Sequence, residues 1–500
     1  MLDQIIYSVR LFQPEAALAV TFLVLILVDL LSPRSAGRYS AWVALAGLLV
    51  SAWLLTRESS LPPNSIFSQM YAVDGFSMFF KVVILLSSAL VILFSLNSRE
   101  LLTGVRHLGE YYALLISLTL GMVLMTGASN LLMMYLSLEL TSLSSYILAG
   151  FTKEARDSSE ASLKYVLYGA VSSGLMLYGI SILYGLTGAI DIYGINHALV
   201  AGDVNIVPLV VAGILVVAGF GYKISAVPFH FWTPDVYEGA PITITAFLSV
   251  ASKAAGFAMM IRFFKVSFID PAVGNLAPGA WAILRGFQWN ELLAMISVLT
   301  MTLGNLVAIW QNNLKRLLAY SSIAHAGYML MGIVVLSNEG ITAVMIYFIV
   351  YLFMNLGAFY LVMLVANQTG SEDIDSYKGL GYRSPLAAVV FTIFLLSLTG
   401  IPPTAGFVGK LYLFAALINA KWFWLAIVGA LNSVVSLYYY ARILKYMFLA
   451  DSAPDLTPIR FSAPQIVLLL ALAIPTILLG LYFGPLVNFA QASVAIFGIK

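Results

Sequence analysis

The sequence predicts an all-α membrane protein of about fourteen transmembrane helices. Of its 500 residues, 61% are hydrophobic and only 10% are charged, and its mean hydropathy is +0.95. A soluble protein of this length would carry charges on about a quarter of its residues. The sequence also lacks a basic block that would bind nucleic acid, so the lipid bilayer is the expected environment.

The apolar runs divide into fourteen predicted spans, because a helix crosses about 30 Å of hydrocarbon with about 20 apolar residues. The spans are predicted at residues 13–31, 40–56, 75–97, 111–127, 130–150, 161–186, 206–227, 242–264, 290–311, 316–336, 341–366, 386–414, 421–447 and 463–488. The first run is predicted to be a spanning helix rather than a cleaved signal.

Two of the predicted helices are broken. Pro228 ends the run 206–227, since proline lacks the N–H that an interior helical position donates. Gly400-Ile401-Pro402-Pro403 interrupts the run 386–414. Inside a bilayer, a broken backbone persists only where protein or a wet cavity surrounds it. Both breaks are therefore expected in the protein interior.

The sequence further predicts two inverted five-helix repeats, each with one broken helix. Residues 130–146 (NLLMMYLSLELTSLSSY) align with residues 313–328 (NLKRLLAYSSIAHAGY), and the segment ending at Gly188 aligns with the one ending at Gly370, at an offset of about 182 residues. That offset carries five helices, an odd number, so the second copy must insert upside down. Inverted repeats with broken helices are typical of transporters. The predicted domains are a three-helix segment at 1–110, the first repeat at 111–265, the second repeat at 290–447 and a C-terminal helix at 448–500.

Basic residues predict the orientation in the membrane. Loops on one side carry thirteen Lys and Arg residues, and the other side carries seven, Arg262 and Lys265 among them. The richer side is predicted to be cytoplasmic, and an even number of spans then puts both termini outside. Lys81 and Asp74, near the outer boundary of the third span, are predicted to be interfacial anchors.

The chain offers little for cofactor or metal chemistry. It contains no cysteine, which excludes disulfides, thiolate zinc sites and iron–sulfur clusters on this chain. Its four histidines are scattered, and neither a G-x-x-x-x-G-K-[ST] motif nor a G-x-G-x-x-G motif opening a helix after a strand is present. We therefore expect no metal site, no ATP hydrolysis and no dinucleotide binding, with any redox chemistry on another subunit.

Glu139 lies in a long apolar stretch, with no other charge from Tyr111 through Thr152. A charge at membrane depth costs roughly 2.5–3.5 kcal/mol on insertion scales, so such a residue indicates a functional site. Burial disfavours the ionised carboxylate, which must be protonated, paired or facing water. We expect Glu139 to be the partner of a buried lysine, Lys223 or Lys164, or else to form a hydrogen bond between helices.

Lys223 is the predicted titrating site, because burial disfavours a charged lysine and a nearby carboxylate favours it. A structural salt bridge is the alternative. Lys253, among the small residues of SVASKAAGF, is predicted to be the next step of a proton route. Lys410 follows the second break, and as the counterpart of the first break it is predicted to be functional. Lys164 lies close enough to the cytoplasmic end to snorkel.

His325 lies mid-span in SSIAHAGYMLMG, among small and hydroxylated neighbours. It falls in the region of the second repeat that corresponds to Glu139. Two interpretations remain open: a neutral packing histidine and a proton relay.

Several strings of the sequence resemble the antiporter-like membrane subunits of respiratory complex I. They are SLELTSLSSYILAGF, SSEASLKYVLYGA, GYKISAVPFHFWTPDVYEGAP with SVASK after it, KRLLAYSSIAHAGYMLMG and TGIPPTAGFVGK. The resemblance covers spans four through thirteen. Fourteen spans without a long lateral helix, and Lys410 where a sibling type usually has glutamate, are most similar to the type called subunit N.

This resemblance implies roles for the residues already singled out. Glu139 would pair with Lys223 in a first half-channel, Lys253 would link to a central hydrophilic axis, and Lys410 would serve a second half-channel. Lys164 resembles a further lysine of the family. His325 is carried over only as a polar residue of the axis.

The resemblance also implies a function. The expected protein is a proton-translocating membrane subunit of an NADH:quinone oxidoreductase, with no redox catalysis on this chain. NADH, FMN, iron–sulfur clusters and quinone are expected on other subunits, and sibling antiporter-like subunits are expected partners. The bacterial inner membrane, or another energy-coupling membrane of the thylakoid type, is the expected location. The alternatives are a subunit of a multisubunit cation/proton antiporter and a membrane scaffold whose lysines hold helices together.

Overall fold

A computed structural model describes residues 2–31, 37–58, 62–102, 108–202, 204–270, 288–449 and 458–498. Over these residues the chain is almost entirely helical. Some basic residues behind the predicted orientation lie outside the described side chains, namely Arg34, Arg38, Arg106, Arg285 and Lys500. The orientation stays a prediction.

The N-terminal part consists of helices and one small hairpin. Its elements are α1 (Leu2–Leu11), α2 (Gln13–Leu31), α3 (Gly37–Glu58), β1 (Asn64–Ile66), β2 (Tyr71–Val73), α4 (Gly75–Ser95) and α5 (Arg99–Leu102). The two strands pair antiparallel, with Asn64 opposite Val73. Asp74 caps α4, because its side chain accepts the backbone N–H of Ser77 while the Ser77 hydroxyl accepts that of Asp74.

The middle of the chain contains the first broken helix. Its elements are α6 (Leu108–Gly127), α7 (Leu131–Ala149), α8 (Arg156–Thr187), α9 (Ile192–Val200), α10 (Ile206–Ile224), α11 (Trp232–Gly239), α12 (Ile242–Phe247), a π-helical turn (Leu248–Ser252) and α13 (Lys253–Ser267). The helix α10 is followed by its capping residue Ser225, which adopts a left-handed conformation with φ +63°.

The last part contains the second broken helix. Its elements are α14 (Trp289–Ala308), α15 (Leu314–Val334), α16 (Asn338–Thr369), a 3₁₀ turn (Ile374–Tyr377), α17 (Leu380–Arg383), α18 (Pro385–Thr399), α19 (Ala405–Asn419), α20 (Phe423–Phe448), α21 (Ala463–Leu481) and α22 (Gly484–Ser493). The helix α18 is followed by its capping residue Gly400, whose φ of +88° suits glycine because it has no Cβ.

The predicted fold class is confirmed. Within the described residues, thirteen helices are long and apolar enough to cross a membrane, and the shorter apolar helices α18 and α19 form the broken run predicted at 386–414. The predicted boundaries at 13–31 and 206–227 agree with α2 and α10 to within a few residues.

The two halves carry matching local features. Asn130 and Asn313 cap α7 and α15, and each forms an isolated β-bridge, with Asp191 and Asp373 respectively. The helices α8 and α16 are both 32 residues long. They are capped by Gly188 and Gly370, whose φ angles are +68° and +72°. These correspondences follow the sequence offset that predicted the repeat, whereas the domain boundaries themselves stay a prediction.

Three elements form the interior of the molecule. In an 18-residue apolar stretch of each spanning helix, the share of residues that are buried is 100% for Ile242–Ser267, 94% for α15 and 89% for α16. The same share is 22% for α21. A helix that is buried on all sides can carry polar side chains only where protein groups or enclosed water satisfy them. The predicted site residues Lys253 and His325 lie on these interior helices.

Candidate functional site

The first break is held by contacts with surrounding protein. The backbone N–H of Val227 donates to Thr300 Oγ1 at 2.9 Å, and the indole of Trp232 donates to the carbonyl of Tyr222 at 3.1 Å. The backbone groups that the break frees thus find partners inside the protein, as broken helices in a bilayer require. Lys223, in the last turn of α10, is held in the interior and is 1% exposed.

Lys223 and Glu139 are brought to the same place, but not into an ion pair. The Nζ of Lys223 lies 3.5 Å from Ser142 Oγ, a residue one helical turn after Glu139 on α7. The Oε1 of Glu139 is buried, and no described residue donates a hydrogen bond to it or lies within ion-pair distance of it. The two predicted residues therefore lie near each other without forming an ion pair.

Lys253 lies where the helix geometry changes. It is the first residue of α13, directly after the π-helical turn Leu248–Ser252, and it is 1% exposed. Single π turns within α-helices are common at functional sites. Its Nζ donates to the carbonyl oxygen of Ser322 on α15 at 2.7 Å. This contact joins the first half of the chain to the second.

His325 follows one turn later on α15 and connects to two tyrosines. Its Nδ1 lies 2.7 Å from the hydroxyl of Tyr347, and its Nε2 lies 3.4 Å from the hydroxyl of Tyr440. The hydroxyl of Tyr440 also lies 2.5 Å from Ser321 Oγ. Both ring nitrogens of His325 thus have hydroxyl neighbours, an arrangement that suits a proton relay as well as packing.

Lys410 occupies the second break. Its Nζ donates to the carbonyl of Thr399 at 2.8 Å and to Ser433 Oγ at 3.1 Å, and it lies 4.6 Å above the ring of Tyr328. Those partners are a carbonyl, a hydroxyl and an aromatic face, which stabilise an ammonium without carrying a negative charge.

Hydrogen bonds and ring contacts connect the His325 neighbourhood with Lys410. Asn305 donates from Nδ2 to the hydroxyl of Tyr328 at 2.9 Å and accepts the hydroxyl of Tyr439 at 3.0 Å. The rings of Tyr439 and Tyr440 contact each other with centroids 4.4 Å apart. We call this set the buried polar axis; its members are Lys253, Ser322, His325, Tyr347, Tyr440, Tyr439, Asn305, Tyr328 and Lys410.

Several polar atoms beside the axis have no hydrogen-bond partner among the described residues. They are Ser252 Oγ, Ser322 Oγ, Tyr351 OH and Asn355 Oδ1. Buried polar groups of this kind are the usual binding positions of internal water. The axis therefore offers proton-accepting and proton-donating groups from Lys253 to Lys410.

Lys164 lies apart from Glu139, in a charged cluster at the surface. Its Nζ is 2.6 Å from Asp235 and 2.9 Å from Glu160, and its side chain is 36% exposed. Arg316 binds the other oxygen of Asp235 at 2.7 Å and Glu238 at 2.7 Å. The cluster lines a cavity of about 270 Å³. Of the two lysines expected as partners of Glu139, Lys223 is the one placed beside it.

The ion pairs of this cluster act on the titration of Asp235. Burial would raise the pKa of Asp235, but the bonds from Lys164 and Arg316 outweigh it and hold that pKa below its ordinary value. The cluster joins α8 and α11 of the first half to α15 of the second, and Asp235 is the residue that both bases share.

The prediction of interfacial anchors for Lys81 and Asp74 was wrong. Lys81 is buried and lies 2.6 Å from Glu15 and 3.2 Å from Glu58. Asp74 is also buried, because Arg262 binds it with two hydrogen bonds of 2.7 and 2.9 Å. Ion pairing lets these charges lie inside the protein rather than at its surface.

Arg262 and Lys265, counted among the basic residues of the side that carries fewer, are not loop residues, and the predicted span 242–264 already contained Arg262. Both lie within α13, and both are buried. The available signal was the apolar run AMMIRFFKV, which continues the preceding helix through both residues.

Comparison with known proteins identifies the family to which the chain belongs. A family model described as "NADH:quinone oxidoreductase/Mrp antiporter, TM" matches residues 128–436. NADH-quinone oxidoreductase subunit N 2 of Chloroherpeton thalassium is 48% identical over 97% of this chain and 94% of its own length. Subunit N of Chlorobium chlorochromatii is 45% identical over 99% of this chain and 96% of its own length.

Solved structures of membrane complexes also contain chains that are similar to this one. A chain of respiratory complex I from Thermus thermophilus matches with a TM-score of 0.77 and 31% identity, over 96% of this chain and 99% of that one. A chain of the Mrp complex from Dietzia matches with a TM-score of 0.84 and 20% identity, over 98% and 97%. At that identity the second likeness shows the fold alone. The chain therefore belongs to the NADH:quinone oxidoreductase/Mrp antiporter transmembrane family, and within that family to the NADH-quinone oxidoreductase subunit N group.

Proposed function

We propose that this chain is a proton-translocating membrane subunit of a complex I-type NADH:quinone oxidoreductase. The observation that carries the proposal is the buried polar axis. In it Lys253 binds the carbonyl of Ser322 one turn before His325, and hydroxyl, amide and ring contacts lead from His325 to Lys410. Its relatives named NADH-quinone oxidoreductase subunit N support the assignment to that complex.

Glu139 and Lys223 form the proposed control point. The Lys223 amine reaches Ser142, which lies one helical turn after Glu139 on α7, and the two charged groups form no ion pair. If α7 or the end of α10 moves, the distance between carboxylate and ammonium changes, and with it the proton affinity of the lysine. Each pKa unit corresponds to about 1.4 kcal/mol, so a small displacement in a medium of low polarity has a large effect.

Lys253 and Lys410 are the proposed acceptors along the axis. Each binds carbonyl or hydroxyl oxygens, which stabilise the charged amine without locking it in an ion pair. A proton released near Lys223 would pass to Lys253 and on to Lys410, with His325 and its tyrosine hydroxyls between them. Lys164, in its charged cluster, is proposed to serve the mouth of the first half rather than the axis.

The same proposal assigns the surroundings of the chain. Its partners are sibling antiporter-like subunits and the other membrane subunits of the complex. NADH, FMN, iron–sulfur clusters and quinone belong to other subunits, and no redox step takes place on this chain. We propose the bacterial inner membrane as its location, with both termini outside the cytoplasm, and a division into the four segments predicted from the sequence.

The variant Lys223→Ala in the assembled complex tests the proposal. Proton uptake into proteoliposomes should fall to the leak level, because the variant lacks the amine that is proposed to titrate. The complex should still assemble, because the hydrogen-bond partner that the described structure gives this lysine is the neutral hydroxyl of Ser142. The measurement is the proton yield per electron during quinone reduction. Lys153→Ala, at an exposed position in a turn, is the matched control and should leave that yield unchanged.

Other outcomes would favour the alternatives. A normal proton yield in Lys223→Ala would contradict the proposed role, and loss of assembly without a specific loss of pumping would favour a scaffold. The likeness to the Mrp chain shows a shared fold and does not favour an antiporter. The subunit composition of the purified complex distinguishes an oxidoreductase from an antiporter. Peripheral redox subunits would be present in the oxidoreductase, and small antiporter subunits would be present in the antiporter.

A further inference from the structure

The N-terminal helices enclose a second group of buried charges, away from the buried polar axis. Glu15 lies in the first turn of α2, Glu58 is the last residue of α3, and Lys81 lies near the start of α4. The Nζ of Lys81 is 2.6 Å from Glu15 Oε1 and 3.2 Å from Glu58 Oε2. The exposed fractions of the three side chains are 1% for Lys81, 0% for Glu15 and 7% for Glu58.

The neighbouring charged and titratable groups do not balance the cluster. The hydroxyl of Tyr71 donates to Glu15 Oε1 at 2.8 Å, but it brings no positive charge. Arg262 is already neutralised by its two bonds to Asp74. The guanidinium of Arg57 lies over the ring of Trp53 at 3.9 Å. Within the described residues, two carboxyl groups therefore face one ammonium.

Two buried oxygens of the cluster have no hydrogen-bond partner among the described residues: Glu15 Oε2 and Glu58 Oε1. With both groups ionised, the cluster would hold one uncompensated negative charge in a nearly dry environment, which is strongly unfavourable. A proton on one carboxyl removes that charge, as in carboxyl pairs that share a site.

The geometry indicates which carboxyl holds the proton. Glu15 Oε1 accepts the shorter bond from Lys81 and a second bond from Tyr71, and bonds of this kind favour an ionised carboxylate. Glu58 accepts the longer bond from Lys81 and keeps 7% exposure at the end of its helix. Glu58 is thus the weaker acceptor and the one with a route to water.

We propose that Glu15, Lys81 and Glu58 form a proton-binding site in which Glu58 carries one exchangeable proton. The proton leaves Glu58 for water at the end of α3, which is predicted to face the non-cytoplasmic side, and Lys81 then lies between two carboxylates until a proton returns. This site is separate from the buried polar axis and does not depend on the function proposed for it.

Infrared difference spectroscopy of the purified complex tests the site. A shift from neutral to alkaline buffer should remove the carbonyl band of a protonated carboxyl, and that band should move in heavy water because the proton exchanges. Glu58→Gln should abolish the change and leave assembly intact, since glutamine is a neutral substitute for a neutral acid. Glu339→Gln, at an exposed position at the start of α16, is the matched control and should keep the band.

A second set of variants separates a missing site from a misfolded chain. Glu15→Gln should also abolish the band change, because Glu58 then becomes the ionised partner of Lys81. The double variant Glu15→Gln/Glu58→Gln should impair assembly, and adding Lys81→Met should restore it. A wild-type difference spectrum that Glu58→Gln does not alter, or a carboxyl band that neither alkaline buffer nor heavy water affects, would overturn the proposal.

Discussion

Each broken run carries a buried lysine, Lys223 before the first break and Lys410 after the second, and the two lysines have different surroundings. Glu139 and Ser322 both lie nine residues after the asparagines that cap α7 and α15, and Ser142 and His325 lie twelve residues after them. In the first half, Lys223 reaches Ser142 beside an acid. In the second half, the position of that acid is occupied by Ser322, whose carbonyl binds Lys253.

This difference separates electrostatic control from conduction. A carboxylate near Lys223 changes the balance between the charged and neutral amine whenever it moves, so the first half responds to its surroundings. Lys253 and Lys410 have neutral partners, and nothing among those partners retains their proton by opposite charge. The surroundings of Lys223 are thus suited to receiving a signal, and those of Lys253 and Lys410 to passing a proton on.

The largest expected effect comes from removing the lysine of the second break. Lys410→Met keeps the length and volume of the side chain and leaves no acid unpaired, because the partners of Lys410 are Thr399, Ser433 and the ring of Tyr328. We expect proton uptake by proteoliposomes to fall to the leak level. The stability of the complex should change by less than about 1.5 kcal/mol, as in other volume-conserving substitutions.

Thermal unfolding of the detergent-solubilised complex provides the control for Lys410→Met. If pumping stops while the unfolding midpoint is kept, the lysine conducts. A complex that pumps normally without this amine would show that the second half does not conduct through Lys410. The proposed division between electrostatic control at the first break and conduction at the second would then be wrong.

A smaller effect is expected when the chemistry of the first half is copied into the second. Ser322→Asp puts a carboxyl group at the position equivalent to Glu139, on the residue whose carbonyl already binds Lys253. An acid there would hold Lys253 in its charged form, and each pKa unit so gained makes proton release about 1.4 kcal/mol less favourable. We expect the proton yield per electron to fall while quinone reduction continues.

Ser322→Asn is the matched control, because it has the same shape as aspartate without the charge. It should pump nearly as the wild type does. Equal losses in both variants would mean that bulk at this position, rather than charge, impairs the axis.

The sequence allowed most of the fold to be predicted, because membrane helices are long apolar runs and prolines mark their breaks. The same reasoning singled out Lys223, Lys253, His325 and Lys410, since a polar or charged residue inside an apolar run stands out, and their roles stay a prediction. It did not find the tyrosines of the axis, because a tyrosine in a membrane helix is ordinary and only its neighbours reveal a role.

The N-terminal charges show a second limit of sequence reasoning. Lys81 and Asp74 lie near helix starts, where a membrane boundary is the expected environment. Glu58, which binds Lys81, lies just beyond the edge of the predicted span 40–56. Arg262, which binds Asp74, comes from a helix far away in the chain. No periodicity links such residues, so the buried pairs became visible only when the helices were assembled in three dimensions.

The smallest expected effect concerns the charged cluster at the mouth of the first break. Lys164 and Arg316 hold the pKa of Asp235 below its ordinary value against the opposing effect of burial, so the stabilisation is present at neutral pH. It should be lost as the pH falls through the folded-state pKa of Asp235, below about 3.9. Because the cluster is partly exposed, the loss should be about 0–1 kcal/mol and should shrink in high salt.

The variant Asp235→Asn should remove that pH dependence, as measured from unfolding midpoints of the complex in neutral and acidic buffer. Lys378 pairs with Asp375 at an exposed site, so Asp375→Asn is the matched control for a cluster that does not join the halves. If Asp235→Asn reduced pumping as severely as Lys410→Met, the cluster would belong to the proton route itself. The first half would then conduct through its charged mouth as well as receive a signal, and the division of roles between the two breaks would not hold.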